Sequence, residues 1–231
     1  MVAYTYLLLG LFLFVGLIIE LFYRQDLIKL ALKVGIIGGC AGIISEIFYT
    51  RDYWRPPSIF GFHKLSLEDF LFGFSVTALS AITYLVLFNY ELPIVNKLAR
   101  KKTFYMLFFI GLLVFIFLNI GLDINSIFSS SVLFFIFAIY ILTCRKDLFH
   151  LAVYSTIIIL CFVVLVYVLL FDFVAPNFWN DYWLLARTKY GITILGSLPL
   201  SELIWYFSWI FFASISYPFV SGKSLSKIKN S

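Results

Sequence analysis

The sequence has few charged residues, histidines and cysteines. Charged residues make up 13% of the 231 positions, whereas about a quarter is usual in soluble domains. The two histidines and the three cysteines are scattered, without the spacing of a metal site or of a disulfide framework. A Gly-rich phosphate loop and a Ser-His-Asp set are also missing, and Lys and Arg form no basic face for nucleic acid. We therefore predict no metal, no cofactor and no nucleic-acid partner.

Apolar residues are abundant instead. They make up 63% of the chain, and the mean hydropathy is +1.02. Seven continuous apolar runs are each close to the roughly 20 residues with which a helix crosses a bilayer. Continuous runs favour helices over a β-barrel, whose strands alternate. We predict an all-α integral membrane protein, with residues 1–231 as one transmembrane domain in the lipid bilayer. The predicted spans are 3–22, 26–48, 70–92, 103–122, 127–144, 149–173 and 198–220.

Lysine and arginine are distributed unevenly between the loops, and this predicts an orientation. Eleven of them lie on one side of the predicted spans and five on the other. Cytoplasmic loops carry the excess, so we predict an external N-terminus and a cytoplasmic C-terminus in the cell membrane. The first set is Arg24, Lys29, Lys97, Arg100, Lys101, Lys102, Arg145, Lys146, Lys223, Lys227 and Lys229, and the second is Arg51, Arg55, Lys64, Arg187 and Lys189.

An internal repeat divides the chain. Asp52-Tyr53-Trp54 recurs as Asp181-Tyr182-Trp183, and each copy precedes a span that opens alike. This predicts two parallel halves, 1–95 with spans 1–3 and 126–231 with spans 5–7, joined by span 4 within 96–125. A 3+1+3 arrangement has its twofold axis along the membrane normal. The matched positions at the two openings are Leu65 and Leu198, Leu67 and Leu200, Asp69 and Glu202, Phe74 and Phe207, and Ser75 and Ser208.

Acidic residues recur at these openings on one side of the membrane. Glu68 and Asp69 open span 3, and Glu202 opens span 7. Carboxylates at a helix N-terminus can act as caps, which is one interpretation. Charges at the edge of a lipid core are costly and tend to serve function, which is the other. Glu46 near the end of span 2 and Asp172 near the end of span 6 add carboxylates to the same layer.

These motifs resemble the lycopene cyclase domain family of seven-span carotenoid cyclases. The family carries a Pro-x-Glu-Glu motif at a span opening in each half, with an acidic residue and a Trp upstream. The stretch from Ser66 to Phe72 is similar to the first copy, with Glu46 and Trp54 upstream. The stretch from Gly196 to Glu202 is similar to the second, with Asp172 and Trp183 upstream.

The resemblance implies a proton-initiated, non-redox cyclisation of a linear polyene, an isomerase or intramolecular lyase activity. A neutral carboxyl protonates a terminal double bond, a neighbouring double bond attacks the cation, and a carboxylate removes a proton. The implied substrate is an apolar carotenoid, and a second copy or other pigment-pathway enzymes are possible partners. The implied acid and base residues are Glu68, Asp69, Glu202 and Glu46, and the implied substrate contacts are Trp54, Tyr53, Trp183, Tyr182, Phe72 and Asp172.

The motifs depart from the family pattern at three positions. Ser66 stands where the family has Pro, Asp69 where it has Glu, and Ser201 where the second copy has its first Glu. A non-catalytic carotenoid-binding protein or partner subunit of the same fold is therefore an alternative. A small 3+1+3 transporter is another, although no proline here is followed by the Gln typical of sugar-permeating members. A retinal receptor is disfavoured because span 7 has no lysine for a Schiff base.

Overall fold

A computed structural model describes residues 4–59, 66–94 and 99–228. Seven of its helices are long and apolar enough to cross a membrane, which confirms the all-α membrane fold. Short 3-10 turns precede α2 and α6, and π-helical turns extend α4 and α6. The spanning helices are α1 (Thr5–Tyr23), α2 (Ile28–Asp52), α3 (Leu67–Leu87), α4 (Lys101–Ile116), α5 (Ser126–Cys144), α6 (Phe149–Tyr167) and α8 (Leu200–Ser221).

Small elements complete the described chain. Helix α7 (Phe178–Tyr182) lies between α6 and α8. Strand β1 (Tyr90–Glu91) pairs with β4 (Ser226–Lys227), and β2 (Thr193–Ile194) pairs with β3 (Leu198–Pro199). Four residues used in the sequence argument lie outside the described residues, namely Lys64, Leu65, Lys97 and Lys229.

The two halves meet around α3 and α8. Helix α3 packs on α1 and α2, α8 packs on α5 and α6, and the two central helices contact each other. In α3, 67% of the most apolar stretch is buried, against 11% in α4. Helix α4 is therefore a peripheral connector, in agreement with its predicted role between the halves.

The two Asp-Tyr-Trp copies pair with each other. Trp54 and Trp183 form an isolated antiparallel bridge. The amide of Arg55 donates to the carbonyl of Tyr182, and the amide of Leu184 donates to the carbonyl of Tyr53, both at 2.9 Å. Tyr53 and Arg55 of the first half correspond to Tyr182 and Leu184 of the second, so the two hydrogen bonds are equivalent by the repeat. The pseudo-twofold axis that relates the halves therefore passes through this bridge. We call the side of the membrane that carries it the motif side.

A second repeat lies on the other side, which we call the turn side. Arg24 and Arg145 end α1 and α5 with nearly equal backbone angles, and each is followed by a 3-10 turn and a buried leucine. Arg24 donates to the carbonyls of Leu85 and Tyr90 at 2.9 and 3.1 Å. Arg145 donates to the equivalent carbonyls in the second half, that of Pro218 in the last turn of α8 and that of Lys223 just after it, at 3.5 and 2.8 Å. Each arginine thus ties the first turn of its half to the end of the third span.

Glycine allows α2 to approach α3 closely. A Cβ at Gly42 would lie 2.6 Å from the carbonyl oxygen of Asp69, and one at Gly73 would lie 2.5 Å from that of Gly38. Small residues at such contacts let membrane helices pack backbone to backbone. This packing brings the last turns of α2, with Glu46, beside the first turn of α3, with Asp69.

The symmetry is broken between α2 and α8. Helix α6 packs along α3, but α2 does not pack along α8 in the same way. On the motif side Trp205 Nε1 donates to Tyr49 Oη at 2.8 Å, and on the turn side the Lys33 ammonium lies 5.3 Å from the Tyr217 ring centre. Between these two contacts the helices stand apart, and we call this space the α2–α8 cleft.

Candidate functional site

A cavity of about 100 Å³ lies between the halves, next to the motif side. Helices α1, α2, α3, α5, α6 and α8 all contribute to its wall. Its lining is mostly apolar and aromatic, but three carboxyl groups reach it. These are Glu46 from α2, Asp69 from α3 and Glu202 from α8. Carboxyls that converge in an apolar membrane cavity are unusual and mark a candidate functional site.

Glu202 is held by two tyrosines. Helix α8 begins after Pro199, which has no side-chain cap to offer, so the carboxylate in its first turn is not used in a capping box. Tyr53 Oη donates to one oxygen at 2.6 Å, and Tyr167 Oη donates to the other at 2.8 Å. Burial, and then the nearby Glu202 charge, raise the pKa of Tyr53 well above its usual range, so this phenol stays a donor. The two bonds stabilise Glu202 as a carboxylate.

Asp69 is used partly as a helix cap. Ser66 Oγ accepts from the Asp69 amide at 3.1 Å, and the Ser66 amide donates to the Asp69 carboxylate at 3.2 Å, which is a capping box. The Ser66 hydroxyl donates to the same carboxylate oxygen at 2.6 Å. The other oxygen accepts from Tyr6 Oη at 2.9 Å. Both interpretations of the acidic opening therefore apply to Asp69, which caps α3 and also lines the cavity.

Glu46 has the fewest partners of the three. Its two oxygens accept only from the indole of Trp54 among the described residues, at 3.3 and 3.2 Å. The residue is 5% exposed. A carboxyl with one weak donor in an apolar wall is poorly stabilised as an anion. Glu46 is thus the group best suited to carry a proton.

Glu68 does not line the cavity. Its carboxylate turns to the loop before α3, where it accepts from the amide of Ile59 at 2.8 Å and from Ser58 Oγ at 3.4 Å. Adjacent helical residues point about 100° apart, and here Asp69 faces the cavity while Glu68 faces the loop. Asp69, and not Glu68, therefore takes the cavity-facing place in the first half.

The predicted substrate contacts divide into two groups. Tyr53, Trp54 and Phe72 line the cavity. Tyr182 and Trp183 do not line it, although they form the partner side of the backbone bridge. Asp172 does not either, since it accepts from the amide and hydroxyl of Ser197 at 3.0 and 2.5 Å. It fixes the loop before α8 instead.

Aromatic rings form much of the wall. Phe72 stacks on Trp205, which stacks on Trp209, with ring centres 6.0 and 5.9 Å apart. Tyr6 meets Trp54 edge to face at 4.7 Å. The faces of such rings attract cations, so the wall can stabilise a positive charge that develops inside.

The sequence motifs did not indicate Tyr6, Tyr49, Tyr167 and Trp209 as lining residues. One signal was available for Tyr167, because it lies as many residues after Arg145 as Glu46 lies after Arg24. The others are far from the motifs along the chain or are typical interfacial aromatics.

The carboxyl and phenol groups of the cavity are groups that can hold or transfer protons. Among the described residues no group of three or more His, Cys, Asp or Glu could hold a metal ion. The cavity combines one carboxylate with two tyrosine donors, one capping carboxylate and one sparsely bonded carboxyl. Comparison with models of known protein families, with curated proteins and with solved structures finds no match for this chain.

Proposed function

We propose that this protein is a carotenoid cyclase that isomerises the linear end group of a lycopene-like polyene in the membrane. The convergence of Glu46, Asp69 and Glu202 on one apolar cavity carries the proposal. The motif resemblance supplies the substrate class, and the aromatic wall suits a carbocation.

The roles follow from the hydrogen bonds. Three negative charges in one apolar cavity would repel one another, so at least one carboxyl holds a proton. Glu46 has the fewest donors and serves as the acid that protonates a terminal double bond. A second double bond of the same molecule attacks the cation, and the ring C–C bond forms. Glu202, kept ionised by Tyr53 and Tyr167, removes a proton from the ring and completes an isomerisation without redox change.

The size of the cavity limits what it holds. Pockets for complete small molecules are usually about 300–1,000 Å³, which is larger than this cavity. Only part of a polyene end group fits in the cavity, and the rest of the polyene lies in the α2–α8 cleft. Ala41 lines the cavity and is exposed on α2, so the cavity reaches the lipid-facing surface there. An apolar substrate can then enter from the bilayer without crossing water.

The test is pigment analysis in a bacterium that accumulates lycopene. We expect the intact chain to yield a product of unchanged mass, shorter-wavelength absorption and altered retention on chromatography. Glu202→Gln should reduce this product at least 100-fold, because the base is lost. Glu68→Gln is the matched control, since it makes the same change in the equivalent helix turn but outside the cavity, and it should retain product.

Two results would contradict the assignment. Product retained in both Glu202→Gln and Glu46→Gln, at equal protein levels in the membrane, would remove these residues from the chemistry. Product lost in Glu68→Gln but retained in Glu202→Gln would place the acid and base chemistry away from the cavity.

A non-catalytic carotenoid-binding protein is the second candidate. It is favoured by the use of Asp69 in a capping box. It is also favoured by Ser201, which stands where the family motif has its first Glu and whose hydroxyl lies 3.1 Å from Tyr53 Oη. This alternative predicts unchanged lycopene that copurifies with the protein. Restoration of product by Ser201→Glu would then identify the chain as a cyclase relative that has lost one carboxyl.

A further inference from the structure

A second pocket, of about 380 Å³, lies on the turn side, at the opposite end of the α2–α8 cleft from the carboxyl cavity. The start of α2, strand β1 and the end of α8 form its wall. Lys29, Lys33 and Lys223 are its cationic residues, and Leu27, Leu30, Leu92 and Pro93 supply apolar surface. The pocket therefore combines positive charge with an apolar floor at the edge of the membrane.

Two of the lysines share one aromatic ring. The Lys33 and Lys223 ammonium groups lie 5.3 and 5.6 Å from the ring centre of Tyr217, within the range of a cation–π contact. The backbone of Lys223 is fixed, because its amide donates to the Pro218 carbonyl at 3.2 Å and its own carbonyl accepts from Arg145 at 2.8 Å. The two charges are thus held near each other by the fold.

The carboxylates of the pocket do not balance these charges. Asp26 forms a two-bond ion pair with Arg24, with both distances at 2.8 Å. Glu91 is exposed. In the part of the chain that the structure describes, none of the three lysines forms an ion pair. Lys33 also lies more than a turn inside the α2 span, where an unbalanced charge is costly.

We infer that this pocket binds the phosphate headgroup of an anionic membrane lipid. The three ammonium groups contact the phosphate, and a lipid chain lies along the apolar floor toward the α2–α8 cleft. A lipid fits better than a free phosphate because the cations line a pocket with an apolar floor at the bilayer edge, and because Lys33 sits at membrane depth. The predicted orientation places the pocket at the cytoplasmic leaflet, where anionic lipids are enriched.

The test is native mass spectrometry of the purified full-length chain. Phosphatidylglycerol or phosphatidylcholine is added at matched concentrations, and bound lipid is measured for the unchanged chain and two double variants. We expect the unchanged chain to retain phosphatidylglycerol at least tenfold better than phosphatidylcholine. Lys33→Gln with Lys223→Gln should remove that preference. Lys101→Gln with Lys102→Gln, which changes two exposed lysines outside the pocket, should keep it.

Equal retention of the two lipids, or a preference that survives in the pocket variant, would overturn the inference. Inorganic phosphate is the third probe. If it stabilises the chain against heat as much as phosphatidylglycerol does, through the same two lysines, the site is one for free phosphate and the lipid assignment fails. Should the double variant not fold, Lys29→Gln alone is the substitute, because this side chain is exposed and its loss removes one of the three cations.

Discussion

Asp69 and Glu202 occupy the same position in the two halves, yet they have different partners. Asp69 is bonded to its own helix cap, Ser66, whereas Glu202 follows Pro199 and is bonded to tyrosines from two other elements. A proline cap has neither an amide hydrogen nor a side-chain oxygen, so the glutamate beside it is left to distant donors. The difference between Ser66 and Pro199 at the cap thus leaves Asp69 largely structural and Glu202 available for chemistry.

Ser66→Ala tests the structural part of this difference. The variant loses the side chain of the capping box, and we expect it to destabilise the protein by about 1 kcal/mol, which is typical of an N-cap loss. Thermal unfolding in detergent measures the change. Ser216→Ala is the control, because that hydroxyl only bonds back to the carbonyl of Phe212 within α8. Equal stability of the two variants would mean that the capping box contributes little.

The cavity could be predicted in part from these residues. The repeat and the family resemblance together selected Asp69, Glu202, Glu46, Tyr53, Trp54 and Phe72, all of which line it. They also selected Glu68, Tyr182, Trp183 and Asp172, which do not. Helix phase decides between Glu68 and Asp69, and phase depends on which face of α3 packs inward. A helix buried on nearly all sides gives little pattern from which to read that face.

At the scale of elements, the seven spans were predictable because each needs a continuous apolar run to cross lipid. Their ends were less predictable. The polar residues Arg51 and Asp52 lie outside the predicted second span but inside α2, because Asp52 accepts from the Ser126 amide and hydroxyl and is thereby held at the boundary. Strands β1 and β4 depend on pairing between the two halves and have no local signal in the sequence.

Arg145→Met tests the turn-side ties. Arg145 is 3% exposed, and its loss leaves the carbonyls of Pro218 and Lys223 without this donor and Asp147 without its ion pair. Hydrogen bonds to charged groups are worth about 1.5–3 kcal/mol, so we expect a loss of about 2–3 kcal/mol.

Arg51→Met is the matched control for this prediction. Arg51 also forms an ion pair, with Asp123, but the two side chains are 44% and 90% exposed. Such a surface pair contributes about 0–1 kcal/mol. Thermal unfolding in the same detergent measures the loss of stability in each of the two variants. A control that loses as much stability as Arg145→Met would show that the carbonyl contacts of Arg145 do not matter.

At the scale of the whole molecule, the Asp-Tyr-Trp repeat and the arginine repeat hold the two halves from opposite sides of the membrane. The Trp54 and Trp183 bridge fixes the halves together on the motif side, while the two arginine ties close each half on the turn side. The pairs agree with the 3+1+3 arrangement that the Asp-Tyr-Trp repeat predicts. Among the described helices, the α2–α8 cleft departs from this symmetry, and α2 and α8 contribute to the walls of both pockets. The looser α2–α8 contact therefore leaves room for pockets that the closer α3–α6 contact does not.

The orientation in the membrane is the prediction on which the lipid site depends. We expect the motif side outside and the turn side in the cytoplasm, since eleven Lys and Arg residues against five favour it. In a chain whose Cys40, Cys144 and Cys161 are replaced by Ser, Asp181→Cys places one thiol at an exposed position on the motif side. Lys227→Cys places one at an exposed position on the turn side.

A membrane-impermeant maleimide applied to intact cells should label the Asp181→Cys thiol and leave the Lys227→Cys thiol unmodified until the cells are permeabilised. Labelling of the second thiol alone in intact cells would reverse the orientation. The carboxyl cavity would then lie near the cytoplasmic leaflet, and the lysine pocket would face outward, away from the leaflet whose anionic lipids motivate it. Proton transfer within the cavity would be unaffected, because it depends on the carboxyls and tyrosines and not on the side of the membrane. The labelling experiment therefore separates the two proposals, since it constrains the lipid site and leaves the cyclase chemistry to pigment analysis.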